Sequence, residues 1–152
     1  MTDPTATTDW RAHLVEDDEG VRRILEQTRR VAVLGIKTPE SGQPAFYVAE
    51  YAHQAGYDIV PVPVYYPDVA EILGQRVYRR LADIPGEVDL VDVFRRPRDI
   101  PPHVADIVAK RPKAVWFQSG IRNDEAAEAL AKAGIDVVQD RCLMVELRRI
   151  GR

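Results

Sequence analysis

Along the chain, short apolar runs alternate with longer stretches in which apolar residues recur every three or four positions. The first run, Val31-Ala-Val-Leu-Gly35, is closed by glycine and has no polar face, as expected of a strand covered on both sides. Residues 57–62 (YDIVPV), 88–94 (VDLVDVF), 113–118 (KAVWFQ) and 135–139 (IDVVQ) repeat this signature. Within the fourth, Trp116 and Phe117 are adjacent, so both faces of that strand read as core.

The intervening segments read as helices. Asp17 and Asp18 precede a helical stretch reaching about Arg30. Pro44 suits a first helical turn, Phe46, Ala49, Tyr51 and Ala52 follow at near-helical spacing, and Gly56 ends the element. Further helices are expected from His103 to Arg111 and from an Asn123 cap to Ala133. Asp140 is expected to cap an amphipathic final helix, RCLMVELRR. Between the second and third long runs, Val69 to Leu73 reads as a helical turn and Val77–Tyr78 as a brief strand.

Strands and helices alternating in this way predict an α/β fold of the Rossmann-like, doubly wound kind. Its mostly parallel sheet should have five to six strands, with helices on both faces. The 152 residues suit one domain, expected over 17–152. Residues 1–16 form an arm whose first nine residues have little to bury and read as flexible, with Trp10 packing against it.

Composition narrows the function. With 21 basic and 24 acidic side chains the net charge is -3, which argues against a protein that coats nucleic acid. The one cysteine, Cys142, excludes an intrachain disulfide and falls short of a cysteine-based metal site, in keeping with a cytoplasmic location. No apolar run reaches the roughly 18 residues of a membrane span, and no leader segment is evident.

In an open parallel sheet, ligands collect beyond the carboxyl ends of the strands. The segments there read GIKTPESGQP, PVPVYYP, FRRPRD and QSGIRND. The first ends at a helix start, where backbone N–H groups favour an anion and Lys37, Thr38 and Ser41 can add donors. Equally, its glycines and prolines can simply shape a tight turn, since Gly35 and Gly42 do not match the dinucleotide fingerprint. After the second strand, Val60-Pro-Val-Pro-Val64 lacks the acid that would hold a ribose 2′-hydroxyl and offers instead a stiff apolar wall for an adenine. Of the three arginines after the third long run, Arg95 and Arg96 are expected to face the crevice and Arg98 the surface.

Catalytic groups are not evident. His13, His53 and His103 all read as surface or packing residues, and Ser119 lacks the surroundings of a nucleophile. Asp89 and Asp92, three apart on a strand, point to opposite faces and read as structural. Cys142 reads as a buried small residue, with a mixed disulfide to a ligand thiol as the alternative.

The segments VAVLG, YDIVPVPV, LADIPGEVDLVDVFRRP, VWFQSGIRNDEAAEALAKAGIDVV and DRCLMVE together resemble the small bacterial CoA-binding protein family. That family is similar to the isolated N-terminal, CoA-binding domain of the succinyl-CoA synthetase alpha subunit. The resemblance spans about residues 28 to 147 and implies a coenzyme A site. It places Gly35, Ile36, Lys37 and Thr38 at the pyrophosphate and Pro61, Val62 and Pro63 with Tyr65 beside the adenosine. Phe94, Arg95 and Arg96 would line the crevice, and Gln118, Ser119 and Gly120 would face the pantetheine arm. Where the family commonly has Arg-Pro at the helix start, this chain has Gln43-Pro44, which removes one phosphate contact that Lys37 can replace. The synthetase's phosphorylated histidine belongs to a further domain absent here.

The expectation is therefore a protein that binds coenzyme A or an acyl-CoA, without a catalytic or metal centre, acting as carrier, sensor or regulatory module; a protein partner or homodimer is left open. Two alternatives stand beside it: a small NAD(P)- or nucleotide-dependent enzyme on the same fold, and a protein-interaction domain with a vestigial site.

Overall fold

The computed structural model describes residues 9–152. Five parallel strands form the main sheet: β1 (Arg30–Leu34), β2 (Asp58–Val62), β5 (Leu90–Val93), β6 (Ala114–Phe117) and β7 (Asp136–Val138), in the order β2-β1-β5-β6-β7. Two further strands, β3 (Glu71–Ile72) and β4 (Gln75–Arg76), make a separate antiparallel hairpin. Five α-helices accompany them: α1 (Asp18–Gln27), α2 (Pro44–Gln54), α3 (Val104–Lys110), α4 (Asp124–Lys132) and α5 (Leu143–Arg149).

The period of two along each strand divides the interior. Val31, Val33, Leu90 and Trp116 pack beneath α1, α2 and α5, whereas Ala32, Leu34, Val91, Val93 and Phe117 pack beneath α3 and α4. Trp116 and Phe117 are both fully buried, one on each side. The expected doubly wound sheet with helices on both faces is present, and its strand order reverses between β1 and β5.

Several boundaries differ from expectation for identifiable reasons. Thr28 turns its hydroxyl back onto the Ile24 carbonyl at 2.7 Å, and α1 ends at Gln27. The backbone N–H groups of Arg29 and Arg30 then donate to Asp89, so Arg30 already belongs to β1. The helical turn expected over 69–73 is instead the first half of the β3–β4 hairpin, and the expected strand at Val77–Tyr78 falls just beyond β4. Leu73 and Gly74, with φ 56° and 71°, form its two-residue turn. Pro101–His103 forms a 3-10 turn, so α3 starts only at Val104.

Asp140 does not cap α5. It has φ 57°, and its carboxylate accepts from the Gly120 N–H at 2.7 Å. Asn123 does cap α4, accepting from the Ala126 N–H at 3.0 Å.

At the amino end, Leu14 bridges to Val137 in parallel and Val15 joins the core, so the packed unit begins ahead of residue 17. Trp10 lies between the cations of Arg11 and Lys132. His13 hydrogen-bonds Asp136 at 2.7 Å. The first eight residues of the expected flexible arm lie outside the described residues.

The carboxyl ends of three strands are laced together at the reversal point. Gly35 N–H donates to the Val62 carbonyl and Phe94 N–H to the Leu34 carbonyl, both at 2.8 Å. Gly35 has φ 87°, and a Cβ there would lie 2.3 Å from the Phe94 carbonyl oxygen. Only glycine satisfies both the dihedral and the contact. Gly35→Ala is expected to lower stability by about 2 kcal/mol, read from the urea midpoint, because strain and overlap add.

Candidate functional site

The crevice opens above the reversal point, between the ends of β1, β2 and β5. Its floor is apolar: Ile36, Val62 and Pro63 are all buried beneath it. Pro61 lies on the sheet edge, where its missing N–H is tolerated, and its carbonyl accepts from Tyr78 N–H at 3.0 Å.

On one side the loop after β1 leads into α2. The Lys37 ammonium donates to the Gln43 side chain at 2.7 Å, which brings a positive charge to the helix start where no side chain caps the helix. The Lys37 N–H is already bonded to the Ala45 carbonyl, Thr38 hydrogen-bonds the Glu40 carboxylate, and the Ser41 hydroxyl accepts from Gln43 N–H. The hydroxyls of Thr38 and Ser41 thus shape the turn, while Lys37 supplies the charge. The backbone and hydroxyl contacts hold the Glu40 carboxyl below its usual range.

On the other side stands Arg95. Its side chain is only 16% exposed, and its Cδ would lie 3.3 Å from a Cβ on Gly35. The guanidinium sits 5.8 Å from the centre of the Tyr65 ring and 3.4 Å from its hydroxyl. Its nearest carboxylate, Asp99, is 3.9 Å away and bound more closely by Arg96, at 2.9 Å. The Arg95 Nε is buried with no partner among the described residues. Arg95 is therefore a largely desolvated cation whose hydrogen bonding is incomplete, a state that favours an incoming anion.

Neighbouring groups register this charge. The Tyr65 phenol is held below its ordinary range by hydrogen bonding to Arg95 and by that cation's field. The Arg96 contact holds the Asp99 carboxyl low. Half-burial and then the Arg95 charge push the His103 imidazole down. Phe94 is half-buried beside them, and Arg96 is 65% exposed, directed at Asp99 more than at the crevice.

The third expected cluster divides. Gln118 is 4% exposed and lies inside: its amide donates to Asp92 at 2.6 Å and its carbonyl accepts from Leu143 N–H at 3.3 Å. Ser119 and Gly120 are exposed at the end of β6. Ser119 lines a cavity of about 430 Å³ that also holds Cys142 at the start of α5. Asp92 is fully buried, and desolvation pushes its carboxyl up to about 7, against the opposing pull of Gln118. A larger hollow of about 610 Å³, lined in part by Tyr57, Asp58 and Arg152, lies at the amino ends of the strands, away from the crevice.

Among the described residues no cluster of His, Cys, Asp and Glu could hold a metal ion, and no helix is long and apolar enough to cross a membrane.

The family model described as a CoA binding domain matches residues 29–148, which include every strand and the whole crevice. The chain belongs to this family. It is 31% identical over 125 residues to the uncharacterized protein YneT of Bacillus subtilis (strain 168), covering 82% of this chain and 90% of that one. Among solved structures, cell-free ID.343 from Thermus thermophilus superposes with a TM-score of 0.80 at 42% identity, over 88% of this chain and 98% of the other. A dinucleotide forming acetyl-coenzyme A synthetase from Ca. Korarchaeum cryptofilum shares the fold alone, with a TM-score of 0.60 at 17% identity over 71% of this chain and 25% of that one. The fold thus recurs in a protein of similar length and within a larger chain.

Proposed function

We propose that this protein binds coenzyme A or an acyl-CoA in the crevice above β1 and β5, as a carrier, sensor or regulatory module without a catalytic centre of its own. The observation that carries this reading is Arg95, a largely buried guanidinium with an unpartnered Nε at the strand-order reversal. A phosphate completes its hydrogen bonding, and Lys37 at the uncapped start of α2 answers a second phosphate across the crevice. The exposed ring of Tyr65 offers an apolar wall to the adenosine. The pantetheine arm runs toward Ser119 and Gly120. With a single cysteine, the reducing cytoplasm suits the chain.

Thermal unfolding with coenzyme A, dephospho-CoA, acetyl-CoA and NAD tests the reading. Ligand at a hundred times its dissociation constant adds about 2.7 kcal/mol, roughly 5 to 10 °C for a chain of this size. A rise with coenzyme A and none with NAD is expected. A rise with NAD alone points to the nucleotide-dependent enzyme, and no rise with any ligand to the interaction domain.

A further inference from the structure

The segment that carries Tyr65 over the crevice has little of its own to hold it. Val64 and Tyr65 are 37% and 55% exposed, and Tyr66 has φ 63°, a left-handed backbone that a bulky residue keeps only where its surroundings impose it. Here Arg79 imposes it. One guanidinium nitrogen, Nη1, donates to the Tyr65 carbonyl at 2.9 Å, while Nη2 donates to the carbonyls of Tyr66 at 2.7 Å and Val69 at 3.0 Å. The planar fork of arginine can gather three carbonyls in this way, whereas an ammonium on a flexible stem has no such fixed geometry. The clamp is itself anchored, because the preceding residue, Tyr78, hydrogen-bonds through its N–H to Pro61 on β2. The sheet edge thereby fixes Arg79, and Arg79 fixes the loop.

We propose that Arg79 is a positioning residue of the ligand site, holding the Tyr65–Val69 loop so that Tyr65 stands against Arg95 before any ligand arrives. The proposal deepens the coenzyme A reading and rests on it, but the arrangement it describes can be measured without ligand. Removing the clamp lets the loop sample other conformations. If the binding-competent fraction falls to about one-tenth, apparent affinity falls about tenfold. The loss should lie mainly in association, in contrast to the faster dissociation usual when a direct contact is removed.

The test is 13C NMR of protein labelled at tyrosine Cζ, with Tyr65→Phe identifying the Tyr65 signal, together with coenzyme A binding kinetics. In the native protein Tyr65 titrates below the ordinary tyrosine range because of Arg95. In Arg79→Ala it should return toward that range, about 10, with the thermal midpoint nearly unchanged and association about tenfold slower. A Tyr65 titration unchanged in a folded Arg79→Ala protein overturns the proposal. If the alanine variant does not fold, Arg79→Lys keeps the charge without the fork, and an unshifted Tyr65 in it likewise overturns the proposal. A native protein that binds no coenzyme A sinks the functional reading, while the Tyr65 titration still decides whether the clamp exists.

Discussion

Arg95→Ala is expected to weaken coenzyme A binding by roughly 1.5 to 3 kcal/mol, one to two orders of magnitude in the dissociation constant measured by calorimetry. The size follows from the burial of the group. A solvated surface arginine contributes little to phosphate binding because water competes, but Arg95 is 16% exposed and its closest carboxylate is shared with Arg96. Arg98 is exposed, and Arg98→Ala is expected to leave affinity unchanged. The Arg95 variant also carries an internal check that needs no ligand. Because the Arg95 charge helps push the His103 imidazole down, its removal should raise the His103 titration midpoint seen by NMR. An unchanged affinity would place Arg95 outside the site, whatever His103 does.

Much of this was legible in the sequence, because buried parallel strands have no polar face to disguise them. The five apolar runs correspond to the five strands of the main sheet; the rule that ligands gather at strand ends led to Arg95, and the family resemblance to Gly35 and Tyr65. The β3–β4 hairpin was missed because its turn is Leu73-Gly74 rather than Asn-Gly, and because four apolar residues between 69 and 73 mimic a helical turn. Asp140 looked like a cap because it precedes an amphipathic stretch, but its carboxylate is drawn to Gly120 on the neighbouring loop, a contact visible only in three dimensions. The resemblance placed Gln118 facing the pantetheine arm. The period of two says otherwise: it shares a face with Trp116, whose cross-strand partner is the buried Asp92, and its own amide donates to that carboxylate. Arg79 left no trace, because a residue that acts through backbone carbonyls imposes no pattern on the side chains it organises.

The same buried pair yields the prediction with the largest expected effect on stability. Asp92 is fully enclosed, with one oxygen accepting from Gln118 and the other unpartnered among the described residues. Its carboxyl, pushed up to about 7 by desolvation, is neutral in the folded protein at pH values where the unfolded chain, titrating near 3.9, is ionised. The folded state therefore binds the extra proton, and stability falls as pH rises from about 4 to about 7; above that range this group adds no further loss. Three units at 1.36 kcal/mol each amount to roughly 4 kcal/mol. Asp99, held low by Arg96, has the opposite sign, so the total profile mixes several groups. Comparing wild type with Asp92→Asn cancels them. Asparagine keeps the shape and the acceptor for Gln118 but does not ionise, so its stability relative to wild type should improve by roughly 4 kcal/mol between pH 4 and pH 8, read from urea unfolding at each pH. Any constant offset from the added N–H drops out of that comparison. A difference that does not change with pH would show that Asp92 already carries its charge in the core, with the Gln118 amide sufficient to keep it there.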